Sequence, residues 1–288
     1  MSAPYAPFMD PRTARPPGLA PLDPGAWVAC DPDFAEQAAL RDRLLAEPDA
    51  ALSLPEGTAP LREFAALLLD HLRTRAQWRF GARAARRPDG AEVALDAPPL
   101  PLAARLTQED WMILSADRPE PRLLAGVLLF PARWTLAEKL GRPLTDVHRP
   151  VAGYAESLAA RVNRVFAALR PDRPLIRVNW LIHHDPTLPQ PQREGADPPP
   201  AAPGARLWLR TERQTLRRLP ATGGAVFGIK TMVVPLDALD PEQRAGLAAA
   251  LREEAGPVAS HASGEPTRRA ALAALAPSAA DDPTHGRR

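Results

Sequence analysis

The chain has a single cysteine, Cys30, among its 288 residues. One cysteine excludes intrachain disulfides and any four-cysteine zinc or iron–sulfur site. Cys30 lies in a segment rich in proline and aspartate, which favours a bystander over a catalytic nucleophile. If the protein carries out redox chemistry, its cofactor is therefore held by other ligands or supplied by a partner.

Long apolar runs are also missing. The longest stretches, "FAALLLDHL" and "LLAGVLLF", fall well short of the ~20 residues that a membrane-spanning helix needs. The N-terminal stretch "MSAPYAPFMDPRTARPP" lacks the apolar centre of a secretory signal. We therefore expect a cytoplasmic protein that does not associate with membranes.

Several functional signatures are absent as well. A formal net charge of +2, with only two lysines, gives no electrostatic basis for binding nucleic acid. There is no glycine-rich phosphate loop, no HExxH zinc motif and no GxSxG nucleophile motif. The adjacent His183 and His184 point to opposite faces of a predicted strand, so they cannot chelate one metal as neighbours.

Three regions are expected along the chain. Residues 1–26 are rich in proline and are predicted to lie extended on the surface or to be partly disordered. Residues 27–257 have enough apolar content for one large domain. Residues 258–288 are predicted to form a disordered tail.

The apolar periodicity predicts helices followed by a sheet. Helices are expected near residues 34–45 and 60–77, within "YAESLAARVNRVFAALRP", and from about Asp240 onwards. Strands are expected in "RLLAGVLLF", "LIRVNWLIHH", "RLWLRTERQTL" and "GAVFGIKTMVVPL", and residues 84–101 are expected to be a polar connection. This order predicts an α+β fold with a largely antiparallel sheet, flanking helices and a pocket between them.

The strand "RLWLRTERQTLRRLP" carries unusual charge. Alternation places Arg210, Glu212 and Gln214 on one face, where the first two can pair. Arg213 continues the opposite, apolar face, where an unpaired guanidinium is unfavourable, so it needs a buried anion. Two interpretations remain open: a salt-bridged edge strand, or a polar wall that binds a charged cofactor or substrate.

The stretch "DVHRPVAGY" holds His148 between proline and glycine residues that fix its backbone path. A lone loop histidine is more often solvated than a ligand, so spacing alone leaves its role open. His71 lies among leucines of a predicted helix and is more typical of packing than of ligation.

Four stretches in order carry a resemblance to a known family: "LTQEDWMIL", "LLAGVLLFPARWTLAEKLGRPLTDVHRPVAGY", "IRVNW" and "LRTERQTLRRLP". Over roughly residues 5–250 the chain resembles the haem-dependent oxidative N-demethylases, the haem-carrying subunits of bacterial dimethylamine monooxygenase. It departs at Ala152, where the family pattern "PVPGY" has a second proline. That departure indicates a divergent member.

The resemblance implies a PAS-like fold, in which an antiparallel sheet and flanking helices enclose a b-type haem. His148 matches the family histidine before the proline–glycine turn, so the resemblance makes it the proximal iron ligand. Its other ring nitrogen needs an acceptor, either Asp146 or a nearby carbonyl. Alternative iron ligands are His71, His183 and His184.

The haem propionates need cationic partners, and the resemblance together with the charge pattern points to arginines. The three candidates are Arg213, Arg210 and Arg149.

The resemblance also implies the reaction. The enzyme would use O2 to demethylate a small secondary amine such as dimethylamine, with Glu212 as the carboxylate that binds the amine. Aromatic side chains can hold an alkylammonium ion or pack against the cofactor. The candidates are Tyr154 as a catalytic residue, Trp134 and Trp180 at the cofactor, and Trp208.

Electrons must come from elsewhere, because the chain has neither an iron–sulfur cysteine set nor a nucleotide motif. The resemblance implies a reductase partner that carries FMN, a 2Fe–2S cluster and an NADPH site, and a folate-binding subunit for the formaldehyde. The alternative hypothesis is a haem-binding PAS-like sensor or carrier without turnover.

Overall fold

A computed structural model describes residues 5–10, 18–117, 119–151, 153–193, 196, 204–253 and 264–276. Its main feature is a seven-stranded sheet in which every pair of neighbouring strands is antiparallel. The strands are β1 (Ala20–Pro21), β2 (Ala51–Ser53), β6 (Glu109–Leu114), β7 (Leu123–Val127), β8 (Leu175–His183), β9 (Trp208–Arg218) and β10 (Ala225–Pro235). Their order across the sheet is β1-β8-β9-β10-β6-β7-β2, which confirms the antiparallel prediction.

Helices cover both sides of this sheet. They are α1 (Phe34–Leu44), α2 (Thr58–Arg73), α3 (Pro99–Leu106), α4 (Leu136–Lys139), α5 (Leu144–Val147), a π-helical turn (Tyr154–Leu158), α6 (Ala159–Ala168), α7 (Pro241–Glu253) and α8 (Glu265–Ala274). The mixed α and β content agrees with the predicted fold class.

The register of the three long strands defines two faces. Glu212 of β9 lies directly opposite Asn179 of β8 and Thr231 of β10, and residues directly opposite one another point to the same side. We call this side the polar face; it carries Arg177, Asn179, Arg210, Glu212 and Gln214. The other side is the core face; it carries Ile113, Trp111, Trp180, Arg213 and Val226.

The core face packs against α1, α2 and α3. Trp27, Phe64 and Trp111 are fully buried there, with ring centroids 5.1–6.4 Å apart. Such aromatic pairs add roughly 0.5–1.5 kcal/mol each beyond their burial. Gly228 makes this packing possible, because a Cβ at that position would lie 2.5 Å from the Trp111 ring.

The last two helices cover the other end of the core face. Leu247 and Leu251 of α7 and Ala271 of α8 pack with Ile182 and Leu209 of the sheet. The disordered tail predicted for residues 258–288 is therefore wrong for α8. The short Ala/Leu stripe of α8 is stable because it docks on α7. Residues 258–263 and 277–288 lie outside the described residues.

The N-terminal segment is partly built into the sheet. Ala20 and Pro21 pair with Ile176 and Leu175 at the sheet edge, and a short 3-10 helix forms at Pro7–Met9. Ala20 and Pro21 are thus extended but part of the sheet, Pro7–Met9 is helical, and residues 1–4 and 11–17 lie outside the described residues. Ala20 is buried, so this part of the segment belongs to the fold.

The predicted polar connection is also structured. A second, three-stranded sheet forms from β3 (Arg79–Phe80), β4 (Ala84–Arg86) and β5 (Glu92–Ala94), and α3 begins within the same stretch. Strands of two or three residues are too short to show alternation, so the sequence pattern missed them.

Residues 131–169 lie over the polar face, and we call them the cover segment. Its apolar side chains pack on the sheet in two clusters, one around Leu144, Phe166 and Leu216 and one around Leu136 and Met112. Because this segment contains His148, its packing places the histidine over the polar face. In the described part of the chain, no helix has both the length and the apolarity to cross a bilayer.

Candidate functional site

His148 lies at the C-terminal end of α5, in the cover segment. Its Nδ1 is 2.8 Å from the carbonyl oxygen of Leu144. Because a carbonyl only accepts hydrogen bonds, Nδ1 must donate, and Nε2 of the neutral ring keeps its lone pair. Burial lowers the pKa of His148, which favours this neutral form. A metal-binding histidine commonly has this arrangement, with one nitrogen anchored and the other open.

Of the two acceptors considered for this ring, the structure selects the carbonyl. Asp146 is exposed, and the Leu144 carbonyl holds Nδ1 instead. The neighbouring Arg149 is exposed as well. Ala152, the position that departs from the family pattern, lies outside the described residues.

Tyr154 stacks on His148, with ring centroids 4.5 Å apart and planes inclined by 12°. It follows Gly153, whose φ of 70° lies in the left-handed region that glycine adopts most readily. The Tyr154 hydroxyl is buried without a hydrogen-bond partner among the described residues. Burial and the nearby Glu120 carboxylate raise the pKa of Tyr154 to about 12, so its hydroxyl stays a neutral donor.

Arg177 lies on the polar face below this stacked pair. Its guanidinium donates to Gln214 Oε1 at 3.0 Å and to Asn179 Oδ1 at 3.2 Å. Burial lowers its pKa, while the charges of Glu212 and the Tyr154 side chain act in the opposite direction. Arg177 was not among the predicted site residues, although the alternation that places Asn179 on this face also places Arg177 there.

Glu212 is nearly buried at the centre of the polar face. Its Oε1 is 3.4 Å from Arg210 Nε, which confirms the predicted pair, and its Oε2 accepts from Gln214 Nε2 at 3.0 Å. The hydroxyl of Thr231, directly opposite Glu212, is buried without a partner among the described residues. The carboxylate therefore lies between polar groups, one of which is unsatisfied.

Arg210 is fully buried and joins two loops to the strand. Its guanidinium donates to the carbonyl oxygens of Leu188 at 2.9 Å and Phe130 at 2.6 Å. Burial lowers its pKa, and Glu212 opposes that shift.

Two predicted cofactor residues lie on the wrong side of the sheet for this site. Arg213 is buried on the core face and donates to the carbonyl oxygens of Ala26 and Trp27. The fully buried Glu109 carboxyl group, on the same face, also lies within electrostatic range of Arg213, so the partners expected for this guanidinium come from the protein itself. Trp180 also points to the core face, where it makes an edge contact with Phe8 at 6.0 Å. A strand side chain cannot reach across its own sheet, so neither residue meets His148.

The remaining aromatic candidates differ in position. Trp134 lies on the polar-face side, half-buried against the cluster around Met112 and Leu136. Trp208 begins β9 beneath the exposed Arg206 guanidinium, 5.0 Å from its ring centroid. The strand register places Trp208 on the polar face opposite His183, so Trp134 and Trp208 both lie on the side of the sheet that the cover segment occupies.

The three alternative histidines lie in different environments. His71 packs on Trp27 beneath the core face, 5.5 Å between ring centroids, and burial lowers its pKa to about 4. His184 contacts Thr267 Oγ1 of α8 at 3.2 Å. His183 lies on the polar face, and its Nδ1 is 2.9 Å from Gln190 Oε1. Of these three, only His183 shares a face with Glu212.

Residues 18–272 match the family described as haem-dependent oxidative N-demethylase, alpha subunit-like. The chain belongs to this family. The match confirms the resemblance read from the four motifs. As an alpha subunit-like member of the haem-dependent oxidative N-demethylases, the chain is related to an oxidoreductase of more than one kind of subunit.

The residues of the polar-face layer fit a haem. Iron in haem is commonly bound by a neutral imidazole, and His148 presents one with Nε2 open. The propionates need cations, and Arg177 and the buried Lys139 lie within electrostatic range of His148. The unpartnered hydroxyls of Tyr154 and Thr231 are available to a bound group.

Proposed function

We propose that this haem-dependent oxidative N-demethylase-like chain binds haem b in a PAS-like pocket between the polar face and the cover segment. There it demethylates a small secondary amine, such as dimethylamine. The observation that carries the proposal is the His148 ring, whose Nδ1 is anchored on the Leu144 carbonyl and whose Nε2 is open above a polar, buried layer. His148 would then hold the haem iron through Nε2.

The bound haem supplies the reductive activation of O2. The complete reaction consumes one O2, two electrons and two protons, and it yields the demethylated amine, formaldehyde and water. The oxygen atom enters at the N-methyl carbon, and the resulting carbinolamine breaks its C–N bond to release formaldehyde.

Glu212 binds the amine in this proposal. A secondary amine is a cation at neutral pH, and a carboxylate oxygen accepts hydrogen bonds from its N–H groups. Gln214 and Arg210 hold the carboxylate in place from both sides. The neutral Tyr154 hydroxyl can donate a hydrogen bond into the same layer, while Met112 and Leu144 keep bulk water away.

Electrons are proposed to arrive from a reductase subunit with FMN, a 2Fe–2S cluster and an NADPH site. A folate-binding subunit is proposed to take up the formaldehyde, and the assembly is proposed to work in the cytoplasm. The support is the alpha subunit-like family description, together with a single cysteine in the sequence.

The test is uptake of hemin by the purified chain, followed by its Soret band. We expect wild type and His71→Ala to give the same band and His148→Ala to lose or shift it. An unchanged band in His148→Ala would contradict the ligand assignment and turn attention to His183.

Amine binding is tested in the haem-loaded protein. Glu212→Gln is expected to keep the Soret band and to weaken dimethylamine binding by about 10-fold or more, because a charge-assisted hydrogen bond of ~1.5–3 kcal/mol is lost. The control variant is Asp185→Asn, which removes an exposed carboxylate and leaves Glu212 in place. Equal amine affinity in wild type and Glu212→Gln would exclude the proposed role.

A second candidate, a haem-binding sensor or carrier, is favoured by one observation. Both oxygens of Glu212 are already engaged, by Arg210 and Gln214. A sensor would show the same Soret band but no NADPH-dependent formaldehyde release when a reductase is supplied.

A further inference from the structure

Positive charge accumulates at one end of the polar face. His183 and Arg210 lie there on neighbouring strands, and Arg133 of the cover segment lies within electrostatic range of both. Burial and the charges of Arg133 and Arg210 lower the pKa of His183 to about 4. The three groups therefore form one electrostatic cluster.

Arg133 is held in an unfavourable state. It has a φ of 62°, the only positive value among the described non-glycine residues, and such a conformation costs free energy. Its side chain is half-buried, and burial together with Arg210 lowers its pKa. No described residue accepts a hydrogen bond from its guanidinium or forms an ion pair with it. Half-burial removes part of the hydration of this guanidinium, so a carboxylate ligand would be favourable there.

Gln190 fixes the backbone of Arg133. Its carbonyl oxygen accepts from the Arg133 N–H at 2.9 Å, and its own N–H donates to the Pro131 carbonyl at 2.9 Å. The left-handed turn at Arg133 is thus held from both sides by one buried residue.

The same glutamine orients His183. Its Nε2 donates to the carbonyl oxygens of Asp185 and Thr187, so its Oε1 faces the ring and accepts from His183 Nδ1. The Nε2 of His183 is left with a lone pair, buried and without a hydrogen-bond partner among the described residues. The His183 residue as a whole is only 1% exposed.

The carboxylates within electrostatic range of this cluster already have partners. Glu212 is shared by Arg210 and Gln214, the buried Asp110 pairs with Arg41 at 2.9 Å, and the exposed Asp185 carboxylate accepts from the Thr187 N–H. The planar fork of an arginine matches a carboxylate in bidentate geometry. A bound anion would also offset the field of the two arginines, so His183 could take up a proton and donate from Nε2.

We propose that Arg133 and His183 form a carboxylate-binding subsite at this end of the polar face, and that its occupant is a haem propionate. The identity of the occupant rests on the proposed function, whereas the carboxylate subsite does not. Arg133 thereby replaces Arg213 and the exposed Arg149 as the arginine partner of the cofactor.

Two forms of the cofactor test whether a haem propionate occupies the subsite. Hemin and its dimethyl ester, which has no free carboxylates, are titrated into wild type, Arg133→Gln and a control variant. The control is Arg83→Gln, at an exposed arginine in the turn between β3 and β4. We expect Arg133→Gln to weaken hemin binding by about 10–100-fold and to leave the ester unaffected. Equal hemin affinity in wild type and Arg133→Gln overturns the propionate assignment.

Arg133→Gly separates binding from folding. Glycine accepts the left-handed backbone, so this variant is expected to have a higher Tm than wild type while binding hemin as weakly as Arg133→Gln. A variant with a higher Tm and wild-type hemin affinity also overturns the assignment.

A haem-free experiment tests the subsite itself. Malonate is titrated into the apo protein, and the pKa of His183 is followed by NMR of the imidazole nitrogens. Malonate is expected to raise that pKa in wild type and to have no effect in Arg133→Gln. If wild type takes up no hemin, the proposed function fails, and the malonate result alone decides the subsite.

The two experiments together distinguish the sources of the carboxylate. If malonate raises the His183 pKa but hemin affinity does not depend on Arg133, the subsite binds a free carboxylate. That outcome overturns the assignment of a haem propionate as its occupant. Hemin affinity that depends on Arg133 without a malonate response supports the propionate alone. The absence of both effects overturns the subsite.

Discussion

His148 and His183 present the same chemistry in different surroundings. In each ring Nδ1 donates to a fixed oxygen and Nε2 is left with its lone pair. Each ring also has two cations within electrostatic range, Arg177 and Lys139 for His148 and Arg133 and Arg210 for His183. The surroundings differ in packing: His148 is half-buried and stacks on Tyr154, whereas His183 is 1% exposed and lies against Gln190. An anchored tautomer is therefore not enough to define a metal ligand, because a bound group must also reach the open nitrogen.

The largest expected difference between the two histidines is in iron ligation. His148→Gly is expected to lose the Soret band of the hemin-loaded protein, and added imidazole is expected to restore it by entering the vacated space. His183→Gly is expected to keep the band without imidazole. The measurement is a hemin titration with and without imidazole. A band that His148→Gly keeps without imidazole, or that His183→Gly loses, would contradict ligation by His148.

A second effect is the pH dependence of the free energy of unfolding. The pKa of His183 in the folded protein, about 4, lies below the ~6.5 of an unfolded histidine. Between these values the unfolded chain binds a proton that the folded chain does not, so stability falls as the pH falls from about 6.5 to about 4. The loss is up to roughly 3 kcal/mol at ~1.36 kcal/mol per pH unit.

His183→Asn removes that proton site, so its free energy of unfolding should depend less on pH in this window. Urea denaturation at several pH values measures the difference. The pKa of His71 is also lowered to about 4, so His71→Asn is the matched comparison. It is likewise expected to reduce the dependence of the free energy of unfolding on pH. Parallel slopes for wild type and His183→Asn would show that the ring is not held neutral.

The smallest effect concerns the stacking that only His148 has. Tyr154→Leu removes an aromatic contact of ~0.5–1.5 kcal/mol, which corresponds to a loss of hemin affinity of roughly 2- to 13-fold. Tyr154→Phe keeps the ring and should bind hemin like wild type. A loss in Tyr154→Phe as large as in Tyr154→Leu would show that the hydroxyl matters more than the stack.

The long strands could be predicted from the sequence because alternation is a local property. The same alternation placed Glu212 and Arg210 together and Arg213 opposite them, as the register confirms. It could not show that the carbonyls of Ala26 and Trp27 accept hydrogen bonds from Arg213, because these residues lie 187 and 186 positions away from it in the chain.

Other parts of the site depend on tertiary contacts that no local pattern reveals. The role of Gln190 arises only when the loop after β8 returns beside Arg133, and the apolar residues of α8 are buried only by contact with α7 and the sheet. Trp180 was assigned to the cofactor because an aromatic residue in a strand gives no sign of which face will carry the site. The family resemblance placed His148, but the carbonyl that holds its ring could be identified only in the structure.

Arg210 connects the carboxylate of Glu212 to the backbone of two loops. One guanidinium connects Glu212 to the carbonyls of Phe130, just before the cover segment, and of Leu188, in the loop after β8. If either loop moves away from the sheet, the guanidinium loses an acceptor and its hold on Glu212 changes with it. Movement of these loops is thus coupled to the affinity of the Glu212 carboxylate for a cation.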